Sequence, residues 1–238
     1  MYLVMASYFD HFIITKILTG YITDSFIIMV CVILLYITLN YKFYIIPSRF
    51  QNLMEVIINH WNVVVEENLG KDYKYYTFPL CALFLFILGL NLLGFFTYSF
   101  PTTTHIFITF GLAFSIWISV IVFGLKNFKL SFLSMFMPSG APLGLSPLLV
   151  FIEIASNVSR PVALGMRLAA NLTAGHILMA ILADFGCKLL FLSSSVINLF
   201  PFLIIMFMTI LEIGVLVIQA YVFCLLSMIY LRDSVILH

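Results

Sequence analysis

Long apolar runs separated by short polar breaks organise the chain. The first run, residues 26–44, is a membrane span ended by Pro47, and residues 1–24 form a mixed N-terminal segment. Residues 48–76 change character: Arg49, Glu55, His60, Glu66, Glu67, Lys71, Asp72 and Lys74 alternate with Leu53, Val56, Ile57, Trp61, Val64 and Val65 at helical spacing. That pattern predicts an amphipathic helix on the membrane surface. Residues 78–125 read as a helical hairpin of two spans turning at Pro101 and a threonine run. After a loop with Pro138, Gly140, Pro142, Gly144 and Pro147, residues 145–231 form a second hairpin broken only near Ser193–Ser195. Its first arm, from Leu148 to Leu190, has about 43 residues and would reach about 65 Å as a helix. The hydrocarbon core is about 30 Å thick, so this hairpin is expected to be strongly tilted, with a bend available at Pro161. The expected architecture is an all-α integral membrane protein of about five to six helices in a single membrane domain, residues 1–238.

Composition narrows the function. Of 238 residues, 63% are hydrophobic and 9% charged, against about 25% charged in soluble domains. A soluble, disordered or nucleic-acid-binding protein is excluded. The 11 basic and 10 acidic residues nearly cancel, so their placement carries the information. Arg49, Lys71 and Lys74 precede the second span, Lys126 and Lys129 follow the third, and Ser99–Thr104 between them has no charge. The positive-inside rule puts both basic loops on the inner side and the N-terminus outside. Asp10 precedes the first cation, Lys16, so neither a basic signal region nor an Arg/Ser-rich leader is expected. Cys31, Cys81, Cys187 and Cys224 all lie in apolar runs without C-x-x-C spacing, as expected for buried, inert thiols rather than a metal site.

Polar groups at membrane depth concentrate in the second hairpin. Glu153, Arg160 and Arg167 recur every seven residues and form one stripe, flanked by Ser156, Asn157 and Asn171. His176 falls on roughly the opposite face from Arg167, and Glu212 and Gln219 share a face of the last helix. An ionised residue at the bilayer centre costs at least about 2.5–3.5 kcal/mol, so such groups mark a cavity, a partner or an ion path. A plain alternative is that Glu153 and Arg160 pair across two turns and snorkel. Asp184 and Lys188, four apart, read as a surface pair. Arginine stays charged in proteins, whereas His176 and Glu212 can exchange protons. A fixed cation between exchangeable groups suggests a gate in a proton path. Gly165, Ala169, Ala170, Thr173, Ala174 and Gly175 would admit a closely packed helix.

The segment Ser159-Arg-Pro-Val-Ala-Leu-Gly-Met-Arg-Leu-Ala-Ala-Asn-Leu-Thr-Ala-Gly-His176 resembles the signature of subunit a of rotary F-type ATP synthases. Glu153, Glu212, Gln219 and the run Asn91-Leu-Leu-Gly94 fit the same pattern, over about Pro47 to Tyr230; the first 45 residues match weakly. Some members carry an acid where Gly94 stands, so that proton site is absent here. The His176–Glu212 combination is similar to mitochondrial and related bacterial members. The resemblance implies that Arg167 is the gate facing a ring of c subunits and separating two aqueous half-channels. His176 and Glu212 would serve the outer half-channel, Glu153 and Asp233 the inner one. Asn171, Gln219, Arg160, Asn157 and Asn91 would be supporting polar residues. It also implies no cofactor or metal, partners among the c-ring proteolipids, other Fo and peripheral-stalk subunits and lipid, a large complex that can be dimeric, and a multi-pass place in the mitochondrial or, alternatively, bacterial inner membrane.

No Walker-type phosphate loop is present, so the chain is expected to be a non-catalytic, proton-translocating subunit. The rival readings are a secondary transporter, which predicts internal repeats that the sequence does not display, and a quinone- or haem-handling respiratory subunit. His105 and His176 are too isolated to suggest paired haem ligands.

Overall fold

The computed structural model describes residues 16–17, 22–39, 47–96, 102–129, 132, 146–192 and 199–235. Apart from a two-residue antiparallel pairing of β1 (Lys16–Ile17) with β2 (Ile22–Thr23), the described residues are helical or in short connections. The helices are α1 (Asp24–Leu39), α2 (Arg49–Leu69), α3 (Thr77–Phe96), α4 (Ile106–Phe128), α5 (Ser146–Leu192) and α6 (Leu199–Val235), with 3-10 turns at Lys71–Tyr76 and Thr102–Thr104. Four are long and apolar enough to cross a membrane, within Tyr73–Phe95, Ile106–Phe128, Pro147–Lys188 and Phe200–Val235. The chain is an all-α integral membrane protein. The N-terminal segment, the end of the first run, the proline-glycine loop and the Ser193–Ser195 turn fall wholly or largely outside the described residues.

α5 continues for 47 residues with Pro161 inside it, about 70 Å of helical rise. A proline removes one backbone bond; here helix continues on both sides of it. α6 has 37 residues. The chain divides into two compact units: Met1–Leu39, Phe86–His105 and Leu168–Ala220 form the first, and Asn40–Leu85, Ile106–Arg167 and Tyr221–His238 the second.

In the first unit, Ile28 and Val32 of α1 bury against Leu90 of α3. Gly89 makes this approach possible: a Cβ there would lie 2.9 Å from Val32 Cγ1 and 3.2 Å from the Tyr36 ring. The α5 and α6 segments of this unit run antiparallel. Asn171 meets Gln219, Gly175 meets Glu212, and Gly186 lies opposite Pro201, so contacts on α6 descend as those on α5 ascend.

In the second unit, α2 starts at Ser48, whose hydroxyl accepts from Gln51 N–H, and ends at Gly70, whose φ of 94° suits glycine. Its buried residues are Met54, Trp61, Val65 and Leu69. Leu53 and Val56, on the same amphipathic helix, are exposed. Spacing alone admits either face; the choice is made by α3 and α6. Trp61 packs on Phe84 and Tyr221, while Val65 and Leu69 join Leu80, Met228 and Val235 in one apolar cluster. Glu66 and Lys74 pair across the turn at 2.8 Å.

The cysteines also divide. Cys81 and Cys224 are buried, but Cys31 and Cys187 are exposed. Apolar sequence surroundings predict low contact with water, not contact with protein, because a membrane helix can turn an apolar residue toward lipid.

Candidate functional site

The polar residues of the second hairpin fall into a cluster in each unit. In the first, Asn91, Glu212 and Gln219 are 1%, 7% and 4% exposed. Glu212 and Gln219 share the buried face of α6 with Leu216 and Ala220 because positions seven apart almost superpose along a helix. Asn171 Nδ2 donates to Gln219 Oε1 at 3.1 Å, and Asn91 Nδ2 to the Leu216 carbonyl at 3.4 Å. Glu212 lies directly against Gly175, where any Cβ would collide with its carboxylate. The next residue, His176, is half-buried beside Phe95, with ring centroids 6.3 Å apart. α3, α5 and α6 thus gather Asn91, Asn171, Gly175, His176, Glu212 and Gln219.

Asn91 Oδ1, Glu212 Oε1 and Gln219 Nε2 are buried without a hydrogen-bond partner among the described residues. Leaving one such group unsatisfied costs about 1–3 kcal/mol. Buried polar groups are normally satisfied by protein or ordered water.

In the second unit, Arg160 does not pair with Glu153. Its Nη1 donates to Asp233 Oδ2 of α6 at 3.1 Å. The reason is tertiary: α6 brings both a carboxylate and an aromatic face to the guanidinium, which lies 5.5 Å from the Tyr230 ring centroid. Asn157 accepts from the Trp117 indole N–H of α4 at 3.2 Å. Glu153 is half-buried and Arg167 exposed, and neither forms a hydrogen bond or ion pair with another described residue. Asp184 and Lys188 form the expected exposed pair, at 2.7 Å.

The small residues of α5 serve two faces. Gly165 faces Phe110 of α4, with a Cβ–Cα approach of 3.3 Å, Ala169 is buried, and Gly175 faces Glu212. Ala163, Arg167, Ala170 and Ala174, spaced four, three and four apart, stand on an exposed face. The close helix approach expected of this set is met within the chain at Gly165 and Gly175. Sequence reasoning missed Phe95, Trp117 and Tyr230 as neighbours of polar groups and Phe110 as the neighbour of Gly165, because these contacts come from helices distant in sequence and leave no local signal.

The family model described as ATP synthase A chain matches residues 22–232. ATP synthase subunit a of Metridium senile is 48% identical over 233 residues, covering 98% of this chain and 99% of that protein. ATP synthase subunit a of Mycosarcoma maydis is 44% identical over 197 residues, covering 82% and 77%. With the signature around an exposed Arg167 on one side and a near-full-length match on the other, the chain belongs to the ATP synthase A chain family, the subunit a component of the Fo membrane sector.

Proposed function

We propose that the chain is the stator subunit that lines two aqueous half-channels and passes protons to and from the carboxylates of a rotating c-ring. The observation that carries this reading is Arg167: a permanent cation, exposed and without an ion partner among the described residues, beside the exposed Ala163, Ala170 and Ala174. Such a charge is tolerated at membrane depth only where a partner or water meets it. A ring of small helical proteolipids bearing one carboxylate each supplies that partner, and Ala163, Ala170 and Ala174 leave room for it.

The roles follow from the chemistry of each group. His176 and Glu212, brought to neighbouring positions on α5 and α6, form the outer half-channel, with Asn91, Asn171 and Gln219 holding water along it. Glu153 serves the inner half-channel, reached from the side of the basic loops at Arg49–Lys74 and Lys126–Lys129. A ring carboxylate facing lipid must be neutral and ionises only beside Arg167 and water. A proton arriving from the outer path neutralises it, the ring turns, and the proton leaves by the inner path after nearly a full revolution. Moving one charge through a potential of about 150 mV releases roughly 3.5 kcal/mol, which biases the direction. Arg167 blocks the short circuit, because a guanidinium does not hand on a proton. The chain performs no nucleotide chemistry; ATP is made on other subunits of the complex. The length of α5 and α6 favours a strongly tilted hairpin alongside the ring. The eukaryotic source of both relatives favours the mitochondrial inner membrane.

The test is Arg167→Ala in the assembled complex, reconstituted in vesicles. ATP synthesis is lost while passive proton leak rises. Arg167→Lys also uncouples, because a point charge lacks the planar fork and lysine can release a proton when buried. Coupled synthesis at the parent rate by an assembled Arg167→Ala complex refutes the assignment.

A further inference from the structure

Asp233 entered the inner half-channel on resemblance, as a second acid beside Glu153. The structure gives it a different occupation. Its Oδ2 accepts from Arg160 Nη1 at 3.1 Å, and the two side chains are 33% and 29% exposed. Tyr230, three positions earlier on α6, lies under the same guanidinium at 5.5 Å. One turn of α6 thus offers a carboxylate and a ring face to one cation, which is the set of contacts that holds an arginine in place. Arg160 and Arg167 lie on one stripe of α5, about 10 Å apart along the helix by its usual rise. Both charges are permanent. Of the two, only Arg160 has a carboxylate partner among the described residues. Glu153, on the same stripe, has no ion partner among the described residues.

From this pairing we infer that Asp233 is the counter-ion of Arg160 and not a carrier of protons. Cancelling the Arg160 charge leaves Arg167 as the free cation of the stripe and leaves Glu153 as the acid that exchanges protons on the inner side. This inference rests on the proton-path reading above. Without Asp233, Arg160 becomes a second free cation on the stripe. It competes with Arg167 for an approaching ring carboxylate, and it repels protons leaving by the inner path. The defect caused by removing Asp233 therefore originates in Arg160.

The experiment compares Asp233→Asn, Arg160→Gln and the double variant in the whole complex, in vesicles, by ATP-driven proton pumping and by ATP synthesis, with assembly measured separately. Asp233→Asn lowers both rates by more than about tenfold, because an unpaired cation at membrane depth is strongly unfavourable. The double variant, neutral at both positions, recovers to within about threefold of the parent, as expected when two sites act as one unit. The exchanged pair Arg160→Asp with Asp233→Arg recovers in the same direction. If Asp233 carries protons, the double variant stays as slow as Asp233→Asn, and the inference falls. It falls equally if all of these variants lose assembly together, because the pair is then only a strut between α5 and α6. Loss of assembly in Asp233→Asn alone, regained in the double variant, supports it. Failure of the proton-path reading is distinguishable: Arg167→Ala and Glu153→Gln would then leave coupled transport intact, whatever the Arg160 and Asp233 variants do.

Discussion

Gly175→Ala separates helix stability from proton transfer. A Cβ at this position would lie 2.6 Å from Glu212 Cδ and 3.2 Å from Cγ, and closer still to Oε1, against an ordinary contact of 3.4–4 Å. The obstructing group is the end of a flexible side chain, so the carboxylate yields rather than the backbone. It must retreat by about 1 Å, and a misplacement of that size costs a reacting group up to about 100-fold. Helix propensity acts in the opposite sense, since alanine is favoured over glycine inside a helix by about 0.5–1 kcal/mol. The variant should therefore assemble at least as well as the parent while pumping protons 10- to 100-fold more slowly, by the same estimate. Native gels and thermal inactivation report the first quantity; dye-quench pumping in vesicles reports the second. Gly111→Ala on α4, where nothing lies within 4 Å of the added carbon, is the control and should leave pumping unchanged. Adding Glu212→Asp to Gly175→Ala shortens the acid by one methylene and should restore part of the rate. Unaltered pumping by Gly175→Ala would show that the position of Glu212 does not matter, and the outer half-channel assignment would fail.

Exchanging His176 and Glu212 should retain more proton flux than either single change to alanine, because a basic and an acidic group still adjoin; equal loss in all three would separate the two residues functionally. Gly89→Leu should detach α1 from α3, since even a Cβ there meets Val32 at 2.9 Å, at an overpacking cost of about 1–3 kcal/mol; engineered cross-linking between α1 and α3 that stays at the parent level would contradict this. Spin labels along the exposed faces of α5 and α6 should report shallow changes of depth with residue number, whereas ordinary spans tilted by about 20° would change depth steeply.

Several features of this site were legible because they are properties of one helix. The seven-residue recurrence of Glu153, Arg160 and Arg167, and of Glu212 and Gln219, puts each set on a common face whatever the chain packs against. The excessive length of the last two helices is likewise a count of residues against bilayer thickness. Partner choice was not legible in this way. Arg160 had Glu153 seven residues away and took Asp233, 73 residues on, because α6 supplied both an anion and a ring. α2 offered two usable apolar faces, and packing on α3 and α6 selected Met54, Trp61, Val65 and Leu69 over Leu53 and Val56. Gly175, one of several small residues in a row, became the seat of the Glu212 carboxylate.

The division has a physical cause. Hydropathy, helical period and the cost of burying charge depend on a residue and its near neighbours, so the sequence by itself determined that this is a helical membrane protein, which faces are polar, and where fixed and exchangeable charges lie. Pairing depends on which helix arrives opposite, and in an apolar solvent many small-residue and apolar faces can pack almost equally well. Only the tertiary structure decided that, among the described residues, Arg160 is paired while Arg167 is not, and that Glu212, Gln219 and Asn91 keep unpartnered polar atoms in a common buried cluster.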